Sequence, residues 1–168
     1  MHERNRLALY ERTMMPHLKA AYNLARWLTR NDQDAEDVVQ EAFVRAYQAL
    51  DRFNLAQAFG PWLNRIVANA ALDLARRRKV RATDELNESL AGSFRDPGEA
   101  DELRRRLREA LAQLPERMRS VLVLHDIEGF AHAEIGQMLG IPEGTARSDL
   151  HHARHRLRGM LQDLHDEV

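Results

Sequence analysis

Cysteine is absent from this 168-residue sequence, so it can form neither a disulfide framework nor a thiolate metal site, and a reducing cytosol is allowed. Aromatic residues are scarce, 6% against 30% charged residues, which suits helices with modest cores better than a β-sandwich. No apolar run is long enough to span a bilayer. The opening MHERNRLALYER is charged and lacks the apolar core of a signal peptide. The expected location is the cytoplasm, with no membrane insertion of its own. No segment has the pattern of a nucleophile triad, a phosphate-cradling Gly-rich loop or a paired-carboxylate site, so neither enzymatic activity nor a cofactor is expected. Internal repeats and low-complexity segments are also missing.

Net charge is only −1, so bulk charge does not argue for nucleic acid. Its distribution does. Residues 61–81 carry net +5, residues 82–102 net −6, and residues 145–158 net +3 before any histidine is charged. Two basic segments separated by an acidic one are a sharper signal than the total.

The most informative stretch is FAHAEIGQMLGIPEGTARSDLHHARHRLR, residues 130–158. Ala131, Ile135, Met138 and Leu139 recur at helical spacing. Gly140 follows where a left-handed C-terminal cap fits, and Pro142 suits the opening turn of the next helix. That second helix has an apolar stripe through Ala146, Leu150, Ala153, Leu157 and Leu161, and its other faces are polar and basic. A short helix, a Gly-bearing turn and a basic second helix predict a helix-turn-helix, whose second helix reads the DNA major groove near its N-terminus. The plainer alternative is a helical hairpin with a solvated basic face.

The remaining chain reads as further helices. Residues 7–30 are broadly periodic through Leu7, Tyr10, Leu18, Ala21, Tyr22, Ala25 and Leu28, with Pro16 dividing or kinking the helix. After Asn31-Asp32, Asp34 is the expected N-cap of a helix to Leu50, with an apolar stripe of Val38, Val39, Ala42, Phe43, Ala46, Tyr47 and Leu50. Asp37, Gln40, Glu41 and Arg45 lie outside that stripe and, taken alone, read as a solvated face. A connection from Phe53 to Gly60 leads to a helix opened by Pro61 and running to about Arg78, buried through Trp62, Leu63, Ile66, Val67, Ala70, Ala71 and Leu74. It ends in Arg76, Arg77, Arg78 and Lys79, more cations than capping a C-terminus needs, which points to phosphate contact. Residues 81–100 are acidic, carry Asp96-Pro97-Gly98, and read as a flexible linker. Helices follow through Leu103, Leu107, Ala110 and Leu111, and then Met118, Val121, Leu122 and His125, with Gly129 ending the second. The expected fold is all-α: two small helical domains, residues 1–80 and 101–168, joined by a flexible linker, the second ending in the helix-turn-helix.

Two patterns therefore stand in order: DAEDVVQEAFVRAYQAL, a short loop and PWLNRIVANAALDLARRR, then LPERMRSVLVLHDIEGFAHAEIGQMLGIPEGTARSDLHHARHRLR. Together they resemble an extracytoplasmic-function (ECF) RNA polymerase sigma factor of the sigma-70 family. The resemblance covers about residues 7–162. It implies a transcription initiation factor with three partners: core RNA polymerase (its beta-prime clamp and beta flap), promoter DNA and an anti-sigma factor. It assigns Asp37, Gln40, Glu41 and Arg45 to the polymerase clamp. The 53–60 loop resembles one that captures a base flipped from the opened −10 element, a step costing a few kcal/mol that pocket contacts recover. The −10 candidates are Asn54, Gln57, Trp62, Arg65, Asn69, Arg76, Arg77 and Lys79. Phe53 and Phe59 either stack on a base or anchor the loop. The −35 candidates are Thr145, Arg147, Ser148, His151, His152 and Arg154, with Arg147, Ser148, His151 and His152 at the DNA-facing turns and Arg154 and Arg158 the better phosphate candidates.

Two positions depart from the family pattern, Asp149 and His152, where basic residues are usual. An acid on a groove-facing helix repels phosphate but can accept from a cytosine amino group. Within its own helix only a protonated His152 is placed to pair with Asp149. The rival function is a stand-alone helix-turn-helix regulator, which leaves residues 34–78 without a role. A metal site at His151 and His155, one turn apart, lacks a convincing carboxylate and has arginine neighbours opposing a cation, so no metal ligand is assigned.

Overall fold

The structure, a computed structural model, describes residues 3–54, 56, 58–84 and 102–165, with backbone only for 81–84 and 163–165. Among the described residues there is no strand. The chain divides into two compact units.

The first unit holds α1 (Glu3–Thr13), a 3₁₀ turn at Met15–His17, α2 (Leu18–Leu28), α3 (Asp32–Ala49) and α4 (Phe59–Asp84). Pro16 does divide the first helical stretch. The tighter 3₁₀ winding around it resets the helical phase. Two members of the expected stripe, Leu7 and Leu18, are consequently exposed, while Met14 and Leu24 enter the core. The start of α3 also differs from expectation. Asn31, not Asp34, is the N-cap: its side-chain oxygen accepts the Asp34 backbone N–H at 2.8 Å. Asp34 lies one turn further on, buried, with its carboxylate paired to Arg78 of α4.

Ala35, Val38, Val39, Ala42, Phe43 and Ala46 of α3 meet Leu63, Val67, Ala70 and Ala71 of α4 and Ala21, Leu24, Ala25 and Leu28 of α2 to form the core. Each larger aliphatic side chain buried there contributes roughly 1.5–3 kcal/mol. Trp62, Ile66, Leu74 and Tyr47, expected in the buried stripes, are only half-buried. Helix α4 begins at Phe59, two residues before Pro61, and continues to Asp84. Residues 81–84, expected in the linker, are therefore helical. The linker reading of residues 85–100 lies outside the described residues.

The second unit holds α5 (Glu102–Gln113), α6 (Glu116–Leu122) continuing as a π turn at Val123–Ile127, α7 (His132–Leu139) and α8 (Glu143–His165). Leu103, expected on a buried face, is 75% exposed, and the buried residues of α5 all lie from Arg108 onward. The π turn widens one turn of helix, with the Glu128 N–H bonding the Val123 carbonyl five residues back at 3.1 Å. Val121, Leu122, Val123 and Leu124 are all buried, a run no 3.6-residue stripe predicts.

The helix-turn-helix is formed by α7 and α8. Gly140 caps α7 in the left-handed region at φ +69°. Gly136 is the tighter constraint, since a Cβ there would stand 2.7 Å from the Ile141 carbonyl oxygen. Pro142 sits just before α8, its carbonyl accepting the Ala146 N–H at 3.1 Å. Ala146, Leu150 and Ala153 are fully buried, as the α8 stripe requires.

Candidate functional site

In the first unit, Asp37, Gln40 and Glu41 are exposed along α3, and Arg45 is half-buried. A groove of about 380 Å³ runs beside them, lined also by Val44, Leu74 and Arg77. Val44 is 56% exposed, an apolar side chain on the polar side of α3, and the sequence pattern had already left it off the buried stripe. Arg45 spans α3 and α4. It reaches Asp73 at 2.8 Å and Glu41 at 3.1 Å. Burial works against its charge, but hydrogen bonds to Asp73 and Glu41 outweigh it, and its pKa is raised. Of the assigned polymerase residues, Arg45 is thus also a crosslink within the unit.

Phe53 and Phe59, at the two ends of the connection between α3 and α4, belong to one aromatic cluster. Phe53 and Phe59 meet edge-on with centroids 5.4 Å apart, and Trp62 lies 4.8 Å from Phe53 and 5.4 Å from Phe59. His17 packs against Phe59 at 5.2 Å. Phe53, Phe59 and Trp62 therefore all face one another at the base of the loop. Asn54 is exposed and accepts the Ala56 N–H at 3.0 Å, fixing the turn locally. Gln57, a −10 candidate, lies outside the described residues.

Arg65, Asn69, Arg76, Arg77 and Lys79 are exposed along α4. Arg76 also pairs with Asp73 at 3.1 Å. The four-cation run is not uniform, because Arg78 turns inward to Asp34. A phosphate role for the whole run is corrected accordingly: Arg78 serves the fold, while Arg76, Arg77 and Lys79 stay exposed, Arg77 also donating to the Asp73 carbonyl at 3.4 Å.

In the second unit, Arg147, Ser148, His151 and His152 are exposed on α8, and Thr145 is half-buried. Arg147 pairs along the helix with Glu143 at 2.7 Å. The His151 and His152 rings meet with centroids 5.7 Å apart. Among the described residues, no group of three or more His, Asp or Glu is placed to hold a metal ion.

In the second unit the sequence misplaces the surroundings of Asp149 and Arg154. Asp149 is 5% exposed and faces α6, where Arg117 grips it with Nε at 2.7 Å and one terminal nitrogen at 3.2 Å. It is neither on the exposed face of α8 nor paired with His152, because its partner comes from 32 positions away. Arg154 is held by Asp126, with Nε 2.9 Å from Oδ2. The Arg154 hydrogen bond holds the Asp126 carboxyl below its usual range, and Asp126 raises Arg154 in turn. Nothing in local spacing points to Arg117 or Asp126, since both bonds join helices distant in sequence.

Residues 13–81 match the sigma-70 region 2 family and residues 104–157 the sigma-70 region 4 family. The chain is 35% identical over 158 residues to the ECF RNA polymerase sigma factor SigE of Mycolicibacterium smegmatis, covering 90% of this chain and 61% of SigE. It is 34% identical over 156 residues to the ECF RNA polymerase sigma factor SigW of Bacillus subtilis, covering 85% of this chain and 83% of SigW. Among solved structures, the sigma factor RpoE of Bartonella quintana, in complex with the anti-sigma factor NepR, superposes with a TM-score of 0.74. That match covers 91% of this chain and 96% of RpoE, and at 24% identity it is a likeness of fold. CnrH in complex with the cytosolic domain of CnrY superposes with a TM-score of 0.58 at 28% identity, covering 96% of this chain and 90% of CnrH. No helix among the described residues is long and apolar enough to cross a membrane. Regions 2 and 4 follow one another in this chain, SigW is matched over 83% of its length at 34% identity, and the chain belongs to the ECF RNA polymerase sigma factors of the sigma-70 family.

Proposed function

We propose that this sigma factor binds core RNA polymerase and directs it to promoters with two elements, one for each unit. The exposed side of α3, with Asp37, Gln40, Glu41 and the neighbouring Val44, docks on the beta-prime clamp, and the second unit meets the beta flap. The 53–58 loop receives a base flipped from the −10 element, while Asn69, Arg76, Arg77 and Lys79 face the adjoining strand. Helix α8 enters the major groove at the −35 element, presenting Arg147, Ser148, His151 and His152 to base edges. In this reading residues 1–80 and 101–168 are the two working domains, and the protein acts in the cytoplasm.

The observation that carries the reading is the inward turn of Asp149. With its carboxylate buried against Arg117, the outward face of α8 keeps its basic and hydrogen-bonding side chains. An anti-sigma factor is a further proposed partner, supported by RpoE having been solved with NepR.

Run-off transcription with purified core polymerase on a panel of promoter fragments tests the proposal. Specific transcripts are expected only when this protein is added. No transcript and no stable complex with core, but tight binding to duplex DNA by the protein alone, would instead support a stand-alone regulator.

A further inference from the structure

Helix α8 is held to α6 and its π turn by two ion pairs of opposite polarity. Near its start, the acid is on α8 and the arginine on α6 (Asp149 and Arg117). Further along, the arginine is on α8 and the acid in the π turn (Arg154 and Asp126). Asp149 and Arg154 are five residues apart, which places them about 140° apart around the helix. The arc between them on one side contains Ala146, Leu150 and Ala153, all buried. The opposite arc contains Ser148, His151 and His152, all exposed. The two pairs therefore mark the two edges of the exposed face.

An α-helix with its side chains is about 10–12 Å across and fills a major groove about 12 Å wide. The phosphate backbones then border its two edges. At one edge stands Arg154, already a phosphate candidate, and at the other stands Arg117. The Arg117 side chain is 55% exposed, while Asp149 behind it is nearly enclosed. The carboxylate accepts a hydrogen bond from one terminal nitrogen and has Nε beside it as an ion-pair contact. The rest of the five-donor guanidinium fork is directed away from that carboxylate.

We infer that Arg117 is a DNA-phosphate contact at the −35 element, set in position by Asp149. The ligand is a phosphodiester oxygen on the strand bordering the groove opposite Arg154. This inference rests on α8 being the −35 reader. It gives Asp149 a use that its chemistry alone conceals: a buried acid orients a cation for DNA. A fixed guanidinium loses less side-chain freedom on binding than one free to rotate.

The test is promoter binding by the full-length protein assembled with core polymerase, measured across a range of salt concentrations. The probes are a duplex fragment chosen by run-off transcription and the same fragment with its upstream element scrambled. Arg117→Gln is expected to weaken promoter binding roughly tenfold and to lower the slope of log affinity against log salt by about one. Preference among upstream sequences stays the same, because a phosphate contact carries no base information. Asp149→Asn separates positioning from charge. Removing a negative charge should tighten DNA binding on electrostatics alone, whereas loss of an orienting group weakens it. Weakening is expected, with the double variant no worse than Arg117→Gln. Arg117→Lys, which keeps the charge without the fork, retains the salt slope and loses part of the affinity, so the test stands even if Asp149→Asn disturbs folding. Unchanged affinity and slope in Arg117→Gln, or tighter binding by Asp149→Asn, overturns the inference. If scrambling the upstream element leaves wild-type binding unchanged, the α8 reading fails and this inference fails with it.

Discussion

Each unit buries one aspartate of one helix against an arginine of the neighbouring helix, yet the two pairs do different work. In the first unit Asp34 is 4% exposed and is met by Arg78 from α4 and by the Asn31 Nδ2 at 3.2 Å. The Arg78 side chain is itself two-thirds covered, so the pair withdraws a cation from the basic run and joins α3 to α4. In the second unit the Arg117 side chain is 55% exposed, so only the acid is withdrawn and the cation remains at the surface. The same residue types thus subtract a positive charge from one surface and leave it on the other. Net charge over a segment does not reveal which, because the outcome depends on which partner is covered.

Removing each acid in turn should expose that difference most strongly. Asp34→Ala leaves a largely covered guanidinium without its carboxylate and should destabilise the first unit by about 3 kcal/mol. Asp149→Ala leaves an arginine that can turn to water and should cost the second unit about 1 kcal/mol. Chemical denaturation followed by probes specific to each unit reads both values. Equal costs would show that exposure of the arginine is not what separates the pairs.

The second unit also holds a constraint of another kind: the turn after α7 brings the Ile141 carbonyl against Gly136. Gly136→Ala would place a Cβ 2.7 Å from the Ile141 oxygen, and the required shift should cost about 2 kcal/mol. Gly140→Ala meets no neighbour but keeps a positive φ, a strain of roughly 1 kcal/mol. Urea denaturation of the two variants ranks them, and a larger loss at Gly140 would contradict the close approach inferred at Gly136.

What was legible in the sequence follows the range of the interactions. The α3 stripe from Val38 to Ala46, the left-handed cap at Gly140 and the division at Pro16 are local, and the structure has all three. The boundary at Asn31 was missed because Asn31 and Asp34 are both good caps, and only packing against Arg78 decides between them. Leu7 and Leu18 were misplaced because periodicity was carried across a 3₁₀ turn. Within the buried run Val121–Leu124, Val121 and Leu122 were read from spacing and Val123 was missed, because a π turn changes the helical period. The environment of Asp149 was beyond any local rule, since its partner lies on another helix. The aromatic cluster at the connection between α3 and α4 was half-visible: Phe53, Phe59 and Trp62 stood out, but not that they face one another.

The smallest expected effect concerns histidine, and it belongs to the second unit. His132 of α7 stacks on His125, with ring centroids 4.3 Å apart and planes 11° apart. Burial lowers the His132 pKa from its ordinary 6.5, and repulsion from a charged His125, Arg147 and Arg154 adds to this, with Glu143 opposing. Its Nδ1 is buried without a hydrogen-bond partner. A lowered folded pKa means that the unfolded chain binds the proton more readily. Stability is then full above about pH 6.5, falls as pH drops through the window between 6.5 and the lower folded value, and levels off below it. Asp126, also depressed, acts in a separate window: it loses its contribution only below the ordinary aspartate value of 3.8. Denaturation of the second unit at pH 7.5 and pH 5.5 should therefore give a lower stability at the acidic value. His132→Phe keeps a stacked ring that cannot titrate, and it should flatten this part of the profile. A slope that survives in His132→Phe would assign the acid sensitivity to another group.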